Sequence, residues 1–224
     1  MTTKLLFIGC NYDQLPYLKN LRNRGYYIIG TDLNLDAPGK DLVHEFVQVS
    51  YTEIDSLSSK IKLIGMTNND KVFTASSQSA HLAASIVANN YGIEYPSFEN
   101  IKKCIDKKET YKLFTKHGIN IPRTKYVFND IDFKHLINKL DDENIYYVKS
   151  DFSKNPRHIY FGRKKELKNK KINWDKDQFF QEAYVVQEFF KGHSIRINLY
   201  ENKFEIYDFE DNQKLSDKLL SLNA

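Results

Sequence analysis

A parallel, doubly wound α/β sheet followed by a smaller α+β unit is the fold class this sequence predicts, on three observations. Leu5–Gly9 is a short unbroken apolar run ending in glycine, as in a strand buried on both faces. Strand-like and helix-like segments then alternate through the first hundred residues, and parallel strands need such crossovers. Beyond Pro122 the order becomes strand, helix, strand, strand, with denser charge, so a unit of different topology follows.

The elements follow in order. Leu15–Arg24 carries Leu15, Leu18 and Leu21 at helical spacing and stops at Gly25. Tyr26–Gly30 is a second strand leading into Thr31-Asp32, Phe46–Val49 a third and Lys71–Thr74 a fourth. Ala80–Tyr91 is a helix closed by Gly92. Pro96-Ser97 breaks the chain, and Ser97 caps one helix running through Phe114 to Gly118. Pro122 opens an extended entry into the strand Thr124–Val127, and Asp132–Leu140 is a helix. Tyr146–Lys149, Ile159–Phe161, Glu182–Phe190 and Ser194–Tyr200 are strands, with Asn202-Lys203 turning a hairpin into Phe204–Phe209. Lys214–Leu222 is weakly helical. The expected divisions are 1–96, a linking helix at 97–121, a small unit at 122–188 and the start of a larger sheet at 189–224.

Composition narrows the class of partner. The 224 residues suffice for one large or two small cores, and 41% apolar with 28% charged residues is ordinary for a globular chain. A net charge of +4 is too slight for a nucleic-acid face and argues only weakly for phosphate-bearing ligands. The basic run Arg163–Lys171, continued by Trp174 and Lys176, is interrupted by Glu166 and Asp175 and reads better as a solvated surface than as an RNA platform. Cys10 and Cys104 lie far apart with no metal-ligand spacing, and the start lacks a signal or membrane-spanning stretch. The expectation is a cytoplasmic protein with reduced thiols, no membrane partner, and room for a homodimer.

The chemistry concentrates in Val185–Gly192, Val-Val-Gln-Glu-Phe-Phe-Lys-Gly, downstream of two separated lysines, Lys107 and Lys149. An apolar strand running into Gln187, Glu188, Phe189 and Phe190 offers backbone amides for a purine edge and aromatic rings for its face. Lysines suit phosphates, being compact cations on flexible stems. A dinucleotide loop is disfavoured. Gly9-Cys10-Asn11 sits at the first strand–helix turn and Asp32 at the ribose-acid distance, but the turn lacks the second and third glycines. No Walker loop is present. His81, on an apolar helix, reads as a packing residue. Thr74-Ala-Ser-Ser-Gln78, including Ser76, is open to two readings: an anion site at a helix N-terminus, or a plain polar loop.

This order of pieces resembles the ATP-grasp superfamily from residue 4 to about residue 210. The first unit looks like its Rossmann-like pre-ATP-grasp domain. The segment from Tyr95 to Phe114, with Asp106-Lys107 inside it and Gly118-Ile-Asn-Ile-Pro122 after it, carries the most specific likeness. The resemblance implies a small ATP-grasp lid and the start of the larger ATP-grasp sheet. It implies that Lys107 and Lys149 contact ATP phosphates, and that backbone at Glu188 and Phe190 meets adenine. Arg196, in Ser194-Ile-Arg196, resembles a basic residue near phosphate or substrate, and Ser153 and Ser194 join the nucleotide-binding set. The implied activity is activation of a small carboxylate as an acylphosphate for attack by an amine-type nucleophile, with Mg2+ offsetting the triphosphate charge. The substrate would approach by Gly9, Asn11, Thr74 and Ser76.

Departures from the family pattern set the alternative. Ser150–His158, where a glycine-rich lid loop is expected, holds no glycine. The family's late acidic metal ligands have no counterpart, and only Glu205, Asp208, Glu210 and Asp211 stand nearby, so no metal ligand is identified. The alternative is a non-catalytic ATP- or metabolite-binding remnant or fragment. An unrelated Rossmann-like domain binding another nucleotide is the weakest of the three readings.

Overall fold

The computed structural model describes residues 2–151, 159–172, 174, 183–190, 192, 195–200 and 203–208. Its first sheet holds β1 (Lys4–Ile8), β2 (Tyr27–Asp32), β3 (Glu45–Gln48) and β4 (Lys71–Thr74) in the order β3-β2-β1-β4. All three pairings are parallel, with Leu6 opposite both Ile29 and Val72. The alternation of β1 explains the layers. Leu5 and Phe7 join Leu18 of α1 (Leu15–Asn23) on one face. Leu6 and Ile8 pack with α2 (Ile54–Ile64) and α3 (Gln78–Asn90) on the other. Ala80, Ala83, Ala84 and Ala88 of α3 are all buried against the sheet, small side chains that let the helix lie close.

Two features of the chain differ from the sequence expectation. The helix α2 was not foreseen, although Ile54, Leu57 and Ile61 have helical spacing and Gly65 ends it in the left-handed conformation at φ 67°. The single helix expected after Ser97 is two: α4 (Phe98–Ile105) and α5 (Lys107–Lys116). The break falls at Asp106, whose extended ψ of 112° interrupts the helical backbone while its side chain accepts from the Glu109 N–H. One residue thus ends α4 and caps α5, and Lys107 becomes the first residue of a new helix.

The second sheet is antiparallel, β5 (Thr124–Val127), β8 (Tyr184–Glu188), β6 (Ile145–Ser150) and β7 (Tyr160–Arg163) in the order β5-β8-β6-β7. One face is sealed by α6 (Asp130–Lys139) and α7 (Lys164–Leu167), with Phe133, Ile137 and Leu167 against Tyr146, Val148, Tyr184 and Val186. Burying each large apolar side chain stabilises the fold by about 1.5–3 kcal/mol. A separate hairpin, β9 (Ile195–Tyr200) with β10 (Lys203–Asp208), pairs Ile197 with Ile206. The weakly helical stretch expected at Lys214–Leu222 lies outside the described residues. Among the described residues no helix is long and apolar enough to cross a membrane.

Candidate functional site

Directly opposed residues of an antiparallel sheet share a face, and this fixes what the second sheet presents away from its core. Thr124, Gln187, Tyr147 and Phe161 form one cross-strand row, and Tyr126, Val185 and Lys149 the next. α5 reaches the same face. Tyr111 Oη donates to Gln187 Oε1 at 3.4 Å, and Gln187 Nε2 donates to Thr124 Oγ1 at 2.8 Å, so buried Gln187 is held from both sides.

Lys107, at the start of α5, sends its Nζ to the carbonyl oxygen of Asp151 at 2.6 Å. Burial pushes its ammonium down to about 8; the nearby Lys149 charge adds to the depression, while Asp151 and Asp106 oppose it. Lys149, half-buried, is likewise lowered by burial. Among the described residues no carboxylate forms an ion pair with either lysine. The two cations predicted from sequence therefore stand close together on one sheet face, partly desolvated and short of anionic partners.

Beside them Tyr147, Phe161 and Phe189 form an aromatic group, with ring centroids 4.6, 5.5 and 5.7 Å apart. Phe161 and Phe189 keep 49% and 38% of their surface exposed, and Phe190 keeps 65%, so the group offers open ring surface at the end of β8. The backbone there is partly engaged. The Phe189 N–H donates to the Ile145 carbonyl at 2.8 Å, and the Glu188 N–H faces the Arg123 carbonyl at 3.4 Å. The Glu188 carboxylate accepts from Asn144 Nδ2.

The remaining candidates fall elsewhere. Gly9, Asn11 and Ser76 line a cavity of about 410 Å³ beside the first sheet, with Asp32, Tyr51 and Ser77. Gly9 has φ 93°, and a Cβ there would lie 2.9 Å from the Ser76 Cβ, so a glycine is required for the two turns to meet. Thr74 does not line this cavity: it is buried, and its hydroxyl donates to the Ile8 carbonyl at 2.8 Å. Asp32 accepts from the Cys10 and Asn34 amides at 2.8 and 2.9 Å, tying the turn together. Ser153 and Ser194 lie outside the described residues, as do Glu210 and Asp211. Arg196 is opposite Tyr207 in the hairpin, with only its backbone described. Glu205 accepts from the Tyr207 hydroxyl. Among the described residues no three His, Cys, Asp or Glu side chains come together to hold a metal ion, so no magnesium ligand is assigned and no step is routed through one.

Sequence reading missed Asp151, Tyr111, Tyr147 and Phe161. Two had a signal. Residues 147, 149 and 151 alternate onto one face of a strand, and Tyr111 stands one helical turn after Lys107. Asp151 is buried, its N–H donates to the Ala183 carbonyl, and one carboxylate oxygen, Oδ1, has no hydrogen-bond partner. Burial first, then the Asp106 charge, raises its carboxyl to about 6 against the pull of Lys107 and Lys108.

A parallel α/β sheet is joined by a helix pair to an antiparallel sheet, with Lys149 on that sheet and Lys107 at the start of α5; the solved structures similar to this fold are ATP-grasp ligases. No protein-family model matches the sequence, and neither does any curated protein. Among solved structures, the chain is similar to phosphoribosylglycinamide synthetase from Anaerococcus prevotii, with TM-score 0.59 and 19% identity, over 96% of this chain and 54% of that one. It is similar to L-amino acid ligase from Bacillus licheniformis, with TM-score 0.65 and 15% identity, over 94% and 52% of the two chains. A third is N5-carboxyaminoimidazole synthetase from Staphylococcus aureus complexed with ADP, with TM-score 0.61 and 13% identity, over 100% and 61%. The chain spans between half and two thirds of the length of these proteins.

Proposed function

We propose that the chain binds ATP on the open face of its second sheet, as part of an ATP-dependent ligase that activates a small carboxylate. The observation that carries this is the convergence of Lys107 and Lys149, two partly buried cations short of anionic partners, beside the exposed Phe161 and Phe189 rings. Desolvated cations bind phosphate more strongly than exposed ones, because neither water nor salt screens them fully. The arrangement fits a nucleoside triphosphate: lysines for its phosphates, aromatic surface for its base, and backbone at Glu188 and Phe190 for its purine edge.

Bound ATP would supply the phosphoryl group that converts a carboxylate to an acylphosphate open to an amine. The residues of this chain bind and orient. Lys149 and Lys107 hold the phosphates and offset their charge. Tyr111 and Thr124 fix Gln187, so the strand that leads into Phe189 and Phe190 is held at a set height. The cavity by Gly9, Asn11 and Ser76 is the proposed approach for the carboxylate, at the strand ends where open α/β sheets take ligands. An ADP complex of a protein with this fold supports the nucleotide part of the reading.

Thermal unfolding with ATP and magnesium tests it. Saturating nucleotide stabilises the wild-type chain, whereas Lys149→Ala keeps its own melting temperature and loses most of that rise. No stabilisation of the wild type would refute the reading. ADP release with a panel of small carboxylates and amines then tests ligation.

A further inference from the structure

Asp151 is no nucleotide contact in this reading, yet it is a buried side chain, 7% exposed, with an unpartnered carboxylate oxygen. Leaving such a group charged is costly unless nearby positive charge holds it. From the start of α5 it meets Asp106, Lys107, Lys108 and the Lys108 backbone N–H. Tyr111, further along α5, and Tyr126 of β5 also lie within its field. Lys149 of β6 repels the Lys107 charge. The positive charge available to Asp151 is therefore the Lys107 ammonium, bonded to its carbonyl at 2.6 Å, together with Lys108 and the first turn of α5.

Lys107 is also a cation assigned to the phosphates. An anionic chain drawn to Lys107 and Lys149 competes with the Asp151 carboxylate for the same charge. We propose that Asp151 is a positioning residue: its carbonyl holds Lys107 in the nucleotide-free chain, and its carboxylate, which lies in the field of the Lys107 charge, takes a proton from solvent when phosphates arrive, coupling nucleotide binding to proton uptake. The inference rests on the nucleotide reading above. One O–H bond forms on the carboxylate and no bond of the nucleotide breaks. The carboxyl already sits at about 6, so added negative charge carries it through neutrality, whereas Lys107, at about 8, is already largely protonated there.

Calorimetric titration of the full chain with magnesium–ATP, near neutral pH in buffers of different ionisation enthalpy, reads the proton directly. The wild type is expected to take up on the order of half a proton, so its affinity falls about threefold per pH unit across neutrality. Asp151→Asn, nearly isosteric, is expected to bind ATP with neither the uptake nor the slope. Affinity changed equally at every pH would mark Asp151 as merely structural and overturn the proposal. Zero uptake in the wild type overturns it without any variant while the nucleotide reading stands. Absence of ATP binding overturns both.

Discussion

Replacing Asp151 by Asn should stabilise the folded chain at neutral pH, by an amount that vanishes in acid. The carboxyl is raised from 3.8 to about 6, and each unit is worth about 1.4 kcal/mol, for a ceiling of about 3 kcal/mol. The sign follows from the direction of the shift. A carboxyl raised on folding contributes stability that is fully present below its unfolded value and is lost as pH rises through the folded one. The amide keeps the neutral, stable form at every pH. The benefit should therefore be about 2 kcal/mol larger near pH 7.5 than near pH 4.5. Taking that difference cancels whatever the substitution does to packing. Urea unfolding can be followed by the fluorescence of Trp174, whose Nε1 donates to Asp130 at 3.0 Å and whose ring meets Tyr184 at 5.2 Å. Equal effects at the two pH values, or a larger destabilisation at the higher one, would refute the argument that an ionised Asp151 burdens the fold.

Two further substitutions test the scaffold. Gly9→Ala should destabilise by about 1–3 kcal/mol, because φ 93° disfavours a Cβ and the added atom meets Ser76 at 2.9 Å; thermal unfolding reads the loss. Phe133→Ala, which empties a buried site between α6 and the second sheet, should cost about 3–5 kcal/mol in urea unfolding followed through Trp174.

Much of the fold was legible because local chemistry fixes it. The apolar run before Gly9, the spacing of Leu15, Leu18 and Leu21, and the Ser97 cap each name an element without reference to the rest of the chain. The strand positions of Lys149, Gln187 and Glu188 were equally visible. The break at Asp106 was not, because an acidic residue between Ile105 and Lys107 is compatible with either one helix or two. The role of Thr74 was hidden for a similar reason: a threonine at a strand end reads alike whether its hydroxyl faces a ligand or a neighbouring carbonyl.

The sequence alone determined which residue types exist to meet a phosphate and which segments carry them. That Lys107 and Lys149, 42 positions apart by their numbers, press on one another is a property of the tertiary structure. The cap at Asp106 starts α5 at Lys107, and the antiparallel pairing of β6 with β8 sets Lys149 on the same side. Tertiary structure also buried Asp151 without a partner for Oδ1, and so placed a titrating group next to the proposed phosphate cations. Burial and charge proximity depend on which elements pack together, and no single stretch of chain encodes that.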